Sequence, residues 1–574
     1  MTLKLEKSQL GHSGFDTLIN LISPTKPFNS THLIIVILII RIFNGLTIKT
    51  FFQADEYWQA LEPAHFFIFG NGYLTWEWKQ GLRSFLHPLF FSIPYKLCSI
   101  YNLDYFYILI LPKVLQSFFC SIGEFYLYKL TYKVTQNELI SKLTLISSLI
   151  SAFNWFCYTR TFSNSLEMVL TIISLYYLPL NKDEIMVSNK NLKNILISVS
   201  LALISIVIRP TSLIIWSILM LDLIINIFLT GKIFIILPMI FITVLILAIN
   251  FFIDFKFHGD SDSDGNLIIP MLKFIEFNFT KSLSRFYGVS RLDFYFLQAI
   301  PVLMLTLLPF LLIGLYNYNK KIYKDLNKLI VVSIVYLIVF SMIQHKEFRF
   351  IYPIKPILLI ISSMGIIKLS KSINQLNFKL IVISVLAINS FLGFYFTQYH
   401  ESGVIEITKF LRNEIIETDS IRDLDLPVQI GFLTPCHSTP FQSHFHLDPT
   451  MADIWFLTCE PPLHLEDITK LKYYRDESDL FYDDPIKFID DNFPDINSNA
   501  KWSDLQVKGN KESQYPHDWP DYLVIFQHME SFMIENYIEL GSNYIEYKRL
   551  FNSRFHWDHR RTGDLIIYKK NLNM

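Results

Sequence analysis

The sequence predicts a mainly α-helical protein that crosses a membrane many times and carries a soluble α+β domain in its C-terminal part. Hydrophobic residues make up 51% of the 574 residues and charged residues 18%, against averages of about 45–50% and about 25% in globular proteins. This balance excludes a disordered chain and argues against a purely soluble enzyme. The net charge of -1 and the five cysteines exclude a basic nucleic-acid-binding protein and a disulfide-stapled scaffold.

Long apolar runs recur along the chain up to about residue 400. A bilayer core of about 30 Å requires about 20 apolar residues for each helix that crosses it. By this measure we predict about eleven transmembrane helices. They cover residues 32–49, 104–131, 140–157, 164–181, 194–209, 211–229, 233–253, 296–316, 329–344, 350–369 and 379–398.

Lysine-rich loops alternate with loops rich in aromatic and acidic residues, which predicts the orientation. The N-terminal tail carries Lys4 and Lys7 and falls on the lysine-rich side. The positive-inside rule makes that side cytoplasmic. The predicted regions are a cytoplasmic tail at 1–31, a transmembrane module at 32–399 with a lumenal loop at 50–103, and a lumenal soluble domain at 400–574.

The C-terminal region has a different composition from the rest of the chain. Asp, Pro, His and Ser become frequent, and apolar runs shorten to strand length, as at residues 523–526. We therefore expect a soluble α+β domain of roughly 170 residues, which is long enough for its own core. Cys436 and Cys459 could form a disulfide if the compartment is oxidising. The nearby histidines fit no standard zinc spacing, so we predict no metal.

Two adjacent carboxylates, Asp55 and Glu56, follow the first predicted span. Such a pair at the edge of a membrane can divide its roles, with one acting as a general base and the other pairing with a cation. The alternative is a solvated acidic pair that caps the following helix. The spacing alone does not decide between them.

The same loop holds aromatic and charged residues within a short stretch. Trp76 and Glu77 lie close in sequence to Arg83 and His87. Together they can offer a ring that stacks on a sugar and cations that bind a phosphate. Tryptophans also anchor membrane proteins at the headgroup level, and this alternative stays open.

Further polar residues lie at the predicted lumenal ends of spans. Arg160 and Asn164 mark one turn, and Arg209 lies between two spans. An arginine can bind phosphate through two parallel hydrogen bonds, or it can extend toward lipid headgroups. A last cluster, flanked by apolar spans, could bind a phosphosugar headgroup. It consists of His345, Lys346, Glu347 and Arg349.

These clusters resemble the family 22 membrane glycosyltransferases, which are polytopic endoplasmic reticulum enzymes of the GT-C fold that take mannose from dolichyl phosphate mannose. The resemblance rests on the acidic pair, YLTWEW at 73–78, TRTFSNS at 159–165 and HKEFRFIYP at 345–353. Within the family, GNGYLTWEWKQGLRSFLH, LTPCHSTP and LTCEPP look most like the members that add the third, α-1,2-linked mannose to a glycosylphosphatidylinositol (GPI) precursor. These segments cover residues 70–87, 433–440 and 457–462.

The resemblance implies an activity and roles for individual residues. Asp55 would be the general base, supported by Glu56, and would deprotonate the 2-hydroxyl of the second mannose of the GPI precursor. The donor is β-linked and the product α-linked, so a single inverting displacement suffices. The phosphate leaving group needs charge stabilisation, which Lys346, Arg349 and either Arg209 or Arg160 could supply. No cofactor is implied, and no glycine-rich nucleotide loop occurs in the sequence.

Three other functions remain open at this stage. One is a structural subunit of a glycosyltransferase complex, which would not require the acidic pair. A second family activity is mannose transfer to the dolichol-linked N-glycan precursor, although LTPCHSTP and LTCEPP argue against it. A non-enzymatic lipid transporter would also place charges in the membrane. Transporters usually show internal repeats, and no repeat is visible in the sequence. We expect the endoplasmic reticulum membrane, a lipid-linked donor and a lipid-linked acceptor as the partners, and no nucleic acid.

Overall fold

The computed structural model describes most of the chain. It covers residues 14, 16, 28–186, 189–259, 268–280, 286–419, 427–463, 473–496, 516–539 and 542–571. Most of the predicted tail at 1–31, including Lys4 and Lys7, lies outside the described residues.

Nine helical segments in the described part of the chain are long and apolar enough to cross a membrane. They agree with nine of the predicted spans and confirm a multi-pass membrane protein. The last of them combines the helices Gln375–Gln398 and Gly403–Asp419. The nine segments are Ser30–Thr47, Tyr105–Thr135, Asn191–Ile208, Pro210–Leu229, Ile233–His258, Tyr295–Tyr316, Lys324–Met342, Phe348–Ser372 and Gln375–Glu417.

The other two predicted spans, 140–157 and 164–181, fall on shorter helices. The first divides at Ser151 into Glu138–Ile150 and Ala152–Cys157, and the second is Ser163–Tyr177. Most of their side chains are buried, including many serines and threonines. Because protein rather than lipid surrounds these helices, small polar side chains can face neighbouring helices there.

The segment between the first two long helices folds into short helices. A widened π-helical turn, Tyr57–Leu61, continues directly into Glu62–Phe69. That helix ends at Gly70, whose φ of 76° is the left-handed conformation that glycine adopts most easily. The remaining short helices up to residue 280 are Trp76–Lys79, Leu86–Tyr101, Lys182–Met186 and Pro270–Ile275.

The C-terminal region contains a five-stranded mixed sheet, as expected for an α+β domain. Strand β1 pairs in parallel with β2 and β3, and β5 pairs antiparallel with β3 and β4. The order across the sheet is β2-β1-β3-β5-β4. The strands are β1 Val428–Leu433, β2 Ala452–Phe456, β3 Tyr522–Phe526, β4 Tyr544–Ser553 and β5 Gly563–Lys570. The helices beside them are Gln442–Phe445, Glu477–Asp483, Pro485–Asn492 and Glu530–Met533.

One hydrophobic core joins the segment around the acidic pair to this sheet. Tyr57, Trp58 and Leu61 belong to the same buried cluster as Phe432 of β1 and Ile567 of β5. Burial of large apolar side chains stabilises contacts by about 1.5–3 kcal/mol each. The C-terminal sheet therefore helps to hold the acidic pair in place.

Candidate active site

The acidic pair begins the helical turn that leads into the π-helical segment Tyr57–Leu61. Neighbouring helix positions point about 100° apart, since one turn takes 3.6 residues. Asp55 and Glu56 therefore face different surroundings. Single π-helical turns of this kind occur frequently at functional sites.

Asp55 pairs with Arg349. The distance from Arg349 Nη1 to Asp55 Oδ2 is 2.6 Å, and the Asp55 side chain is 20% exposed. Arg349 also donates to Glu347, with Nε–Oε2 at 2.7 Å and Nη2–Oε1 at 2.9 Å. Burial opposes the ionisation of Glu347, but the charge of Arg349 and the hydrogen bonds from His345 and Arg349 hold its pKa well below the usual range. Arg349 thus bridges two carboxylates.

Glu56 pairs with Arg160 in a buried clamp. Arg160 Nη1 donates to Glu56 Oε2 at 2.9 Å and to the Thr50 carbonyl at 2.7 Å. Nη2 donates to Thr50 Oγ1 at 2.9 Å, and Nε donates to the Phe156 carbonyl at 2.7 Å. All three guanidinium nitrogens therefore have partners within the protein, and Arg160 is fully buried. We call this Glu56–Arg160–Thr50 arrangement the inner clamp.

A third ion pair lies close to Asp55. Arg83 Nη2 is 2.8 Å from Glu77 Oε1, and Gln59 Nε2 donates to Glu77 Oε2 at 3.0 Å. Arg83 lies near enough to Asp55 and Arg349 to interact with both electrostatically. The predicted residues of loop 50–103 and of the 345–349 cluster therefore meet at one site.

Trp76 and His87 of the same loop are buried rather than open to solvent. The Trp76 ring stacks on Tyr287, with centroids 6.4 Å apart, and packs on Phe277 at 5.2 Å. Burial and the nearby charge of Arg209 lower the pKa of His87 to about 3, so its ring is neutral at pH 7. Among the described residues, His87 Nε2 has no hydrogen-bond partner.

The other predicted residues have protein partners. Arg209 Nε lies 3.1 Å from Glu167 Oε2, and Arg209 Nη1 donates to Ser163 Oγ at 3.0 Å. Asn164 Nδ2 donates to the Arg349 carbonyl at 3.2 Å. Arg209 interacts electrostatically with Arg349 and Arg83, which places it in the same cluster.

His345 and Lys346 stand at the edge of this cluster. His345 Nε2 lies 3.3 Å from Glu347 Oε1. Lys346 Nζ donates to the Ser290 carbonyl at 3.0 Å. Within the described part of the chain, no ion pair joins Lys346 to a carboxylate. The structure thus brings His345 to the Arg349 pair and turns Lys346 toward Ser290.

Sequence reasoning missed three polar residues around the acidic pair. They are Gln59 and Glu167, described above, and Glu62. Glu62 is buried and accepts hydrogen bonds from the Phe441 amide at 2.9 Å and from Ser443 Oγ at 2.5 Å. Burial raises the pKa of Glu62 to about 7, although those hydrogen bonds oppose the shift. The sequence signal that could have identified Glu62 is a carboxylate within a short segment that is otherwise mostly apolar.

Cys436 and Cys459 form a disulfide with a Cα–Cα distance of 5.8 Å. His437 beside them packs on Trp58, with ring centroids 4.6 Å apart, and interacts electrostatically with Asp55. The two sulfurs and the His437 ring lie close together. Because the sulfurs are bonded to each other, they are not thiolate ligands, and this group does not form a zinc site.

A mostly apolar cavity of about 320 Å³ opens beside Arg83. Val207, Leu247, Phe251 and Met271 line it, and both Arg83 and the carboxylate of Asp254 lie in its wall. It runs along the helices Asn189–Ile208 and Ile236–His258. Asp254 accepts hydrogen bonds from Ser84 Oγ at 2.9 Å and from the Phe85 amide at 2.8 Å, so its carboxylate has partners within the protein. Arg83 is the group in this wall that suits the negative charge of an amphiphilic ligand.

Comparisons with known proteins point to one family. The model of the Alg9-like mannosyltransferase family matches residues 32–446. Three curated relatives are named GPI mannosyltransferase 3. That of Debaryomyces hansenii is 43% identical and covers 93% of this chain and 91% of its own. That of Candida albicans is 41% identical, with coverages of 95% and 98%. That of Saccharomyces cerevisiae is 35% identical, with coverages of 94% and 96%.

A solved structure supports the fold. The crystal structure of ArnT from Cupriavidus metallidurans bound to undecaprenyl phosphate aligns with a TM-score of 0.54 and 10% sequence identity. The alignment covers 94% of this chain and 97% of that chain. At this identity the likeness concerns the fold alone, which agrees with the expected GT-C architecture.

Proposed function

The chain belongs to the Alg9-like mannosyltransferase family and is a membrane mannosyltransferase, and we propose that it adds the third, α-1,2-linked mannose to a GPI precursor. The donor is dolichyl phosphate mannose, and the acceptor atom is the 2-hydroxyl of the second mannose. The observation that carries this proposal is Asp55, a partly exposed carboxylate held beside Arg349 and Arg83.

The cavity beside Arg83 is the proposed donor site. Its apolar wall suits the isoprenoid chain of dolichol, and the guanidinium of Arg83 suits the phosphate, since arginine binds phosphate through charge-assisted hydrogen bonds. The donor sugar would then lie on the side of Arg83 that faces Asp55. Trp76, Glu77 and His87 shape this side of the site in our proposal.

Asp55 is the proposed general base. It accepts the proton of the 2-hydroxyl while that oxygen attacks C1 of the donor mannose. The C1–O bond to phosphate breaks at the same time, and its electron pair leaves with dolichyl phosphate. The attack from the opposite face converts a β-linked donor into an α-linked product. Positive charge aimed at the departing phosphate stabilises this transition state.

Arg349 connects donor binding to the base. Its Nε and Nη2 are held by Glu347, while Nη1 faces Asp55. A phosphate that takes Nη1 from Asp55 leaves the carboxylate ready to accept a proton. His345 and Asn164 hold Glu347 and the Arg349 backbone in position. The expected role of Lys346 in leaving-group stabilisation gains no support from its contact with Ser290.

Arg160 and Arg209 have positioning roles in this proposal. Arg160 holds Glu56 within the inner clamp, so Glu56 supports the position of Asp55 and does not itself take the proton. Arg209 pairs with Glu167 and adds positive charge near Arg349 and Arg83. In this proposal, Arg83 and Arg349 are the groups that contact the phosphate.

We place the active site on the lumenal side of the endoplasmic reticulum membrane, with residues 1–31 in the cytoplasm and 400–574 in the lumen. The lysine-rich loops support this orientation. The disulfide Cys436–Cys459 supports an oxidising compartment for the C-terminal region.

Mannose transfer in microsomes tests the proposal. The donor is radiolabelled dolichyl phosphate mannose, and the acceptor is a dimannosyl GPI precursor. We expect transfer by the wild-type chain, loss of transfer in Asp55→Asn at equal protein level, and normal transfer in the exposed control Asp453→Asn. Transfer to a dolichol-linked oligosaccharide instead of the GPI precursor would keep the family and reject the acceptor.

A further inference from the structure

A second cavity, of about 940 Å³, lies between long membrane helices and the C-terminal region. It forms where the long helices Ser30–Thr47, Tyr105–Thr135 and Gln375–Gln398 meet the helix Gly403–Asp419. It shares no lining residue with the cavity beside Arg83. We call it the basic pocket.

Cations dominate the polar lining of the basic pocket. They are Lys49, Lys113, Lys409 and Arg554, and Glu406 is the carboxylate among the described lining residues. In the described part of the chain, none of the four cations has a carboxylate oxygen within 4.0 Å. Lys113 Nζ donates to the Ile48 carbonyl at 3.1 Å. Four cations facing one cavity repel each other, so an anion bound among them would be stabilised.

The other walls of the basic pocket are apolar and continue onto the outer surface of the bundle. Leu46, Phe106 and Ile405 line the pocket, and Phe106 is 62% exposed. Exposed apolar side chains on a transmembrane helix face lipid chains. An occupant can therefore hold its charge among the lysines while its apolar part extends along these helices into the bilayer.

Aromatic residues place the pocket at the level of the lipid headgroups. Next to Arg554, Phe555 is 57% exposed and Trp557 is 87% exposed. Phe555 stacks on Tyr395 near the end of the last long helix, with ring centroids 6.1 Å apart. These exposed side chains lie in the loop that follows β4, beside the end of a membrane helix, and exposed tryptophan there is typical of the membrane–water interface.

The chain segment 50–57, which carries Asp55, lies beside the basic pocket. Phe51 stacks on Tyr57 at 5.4 Å, and Tyr57 packs edge-on against His444, which lines the pocket, at 5.1 Å. Thr50 in the same segment is held by Arg160 of the inner clamp. Asp55 does not line the basic pocket, so a molecule bound there lies beside the acidic segment without contacting Asp55.

We propose that the basic pocket binds an anionic phospholipid, with the lipid phosphate among Lys49, Lys113, Lys409 and Arg554 and the acyl chains along Leu46 and Phe106. This lipid is a resident of the site and not a substrate. The proposal goes beyond mannose transfer and does not depend on it. Because Lys113 and Arg160 hold neighbouring residues of the segment 48–50, a bound lipid also steadies the inner clamp.

Native mass spectrometry of the purified full-length chain tests the proposal. The protein is titrated with phosphatidylserine, an anionic phospholipid without the inositol of the proposed acceptor, and, separately, with phosphatidylcholine. We expect wild-type protein to retain phosphatidylserine and to gain thermal stability from it. The exposed cations Lys409 and Arg554 are then changed together to glutamine. Affinity for phosphatidylserine should fall about fivefold for each charge removed, or about 25-fold in total.

The matched control changes two exposed lysines outside the pocket, Lys96→Gln with Lys487→Gln, and should keep wild-type lipid binding. Equal retention of phosphatidylcholine, or unchanged affinity in the Lys409/Arg554 variant, would overturn the proposal. Equally tight binding of inorganic phosphate would overturn the assignment to a lipid. If the wild-type chain binds phosphatidylserine but transfers no mannose to the GPI precursor, the proposed function fails and this site stands.

Discussion

Two neighbouring carboxylates have opposite environments in this protein. Asp55 is partly exposed, and its partner Arg349 is shared with Glu347. Glu56 is buried, and its partner Arg160 has every guanidinium nitrogen bonded within the protein. A shared arginine can change partners when a phosphate arrives, whereas an arginine with every nitrogen bonded cannot. In our proposal, the adjacent residues therefore divide the roles, with Asp55 as the base and Glu56 as its support.

The largest effect is expected from Asp55→Asn. An amide cannot accept the hydroxyl proton, and general base catalysis contributes about 10²–10⁴-fold. We expect turnover to fall by about 1,000-fold while the thermal unfolding temperature stays at the wild-type value. Mannose transfer and scanning fluorimetry on the same purified sample measure both quantities. Substantial turnover in this variant would move the base elsewhere.

Glu56→Gln should act mainly on stability. Removing one partner of a buried ion pair leaves Arg160 charged and only partly compensated, which typically costs about 3–5 kcal/mol. We expect a clearly lower unfolding temperature and turnover per folded molecule within about tenfold of wild type. Glu535→Gln, at an exposed glutamate outside the site and the basic pocket, serves as the control for stability. If Glu56→Gln kept its stability but lost turnover as Asp55→Asn does, the division of roles would be wrong.

Arg349→Lys tests the difference between Arg349, which two carboxylates share, and Arg160, whose nitrogens are all bonded in the inner clamp. A lysine offers a point charge and cannot hold Glu347 through two parallel bonds while it also faces Asp55. We expect turnover to fall by about 10–100-fold, or about 1.4–2.7 kcal/mol in the barrier, with a raised KM for the donor. The exposed Arg291→Lys should behave as wild type. An unchanged KM for the donor would remove Arg349 from the phosphate site.

The smallest expected effect is on the pH dependence of stability, and it involves a histidine of the helix Glu62–Phe69, which follows the acidic pair. His65 Nε2 and His446 Nδ1 lie 2.8 Å apart. Burial lowers the pKa of His65 to about 3 and that of His446 to about 4. Between about pH 6.5 and pH 4 the unfolded chain binds protons that the folded chain does not, so stability falls as pH falls.

Unfolding temperatures measured from pH 7.5 to pH 5 test this histidine pair. The double variant His65→Asn with His446→Asn should show a flatter decline than wild type. His559→Asn, at an exposed position, should leave the slope unchanged. A slope in the double variant as steep as in wild type would assign the acid sensitivity to other groups.

The fold was largely predictable because apolar runs long enough to cross a bilayer are visible in one sequence. The sequence also predicts full spans at the helices Glu138–Ile150 and Ser163–Tyr177, which are shorter than a span. Their length is possible because neighbouring helices bury them, and the pattern of apolar residues in one sequence does not show which helices will be neighbours. Residue types at the site were predictable for a similar reason, since charges at membrane depth are conspicuous.

The partners at the site were not predictable. Glu56 and Arg160 are 104 residues apart, and Asn164 and Arg349 are 185 apart. Tertiary packing alone decides such pairs. Charged residues in the apolar part of the sequence do not by themselves identify the site, because Arg41 and Glu124 also form a fully buried ion pair, with Ser148 nearby. The sequence contains no feature that distinguishes that pair from Asp55 and Arg349, the proposed catalytic pair.

The position of β5 has a consequence for biosynthesis. This strand lies between β3 and β4, and its Ile567 belongs to the same core as Tyr57. At about 5–20 residues per second, a ribosome needs roughly half a minute to two minutes to proceed from one to the other. During that time the helical turn that begins at Asp55 lacks its packing partners in the C-terminal sheet. A stop codon between Asp419 and Gly563 would therefore yield a chain that has the nine long apolar segments but lacks the strand that completes the core around the acidic pair.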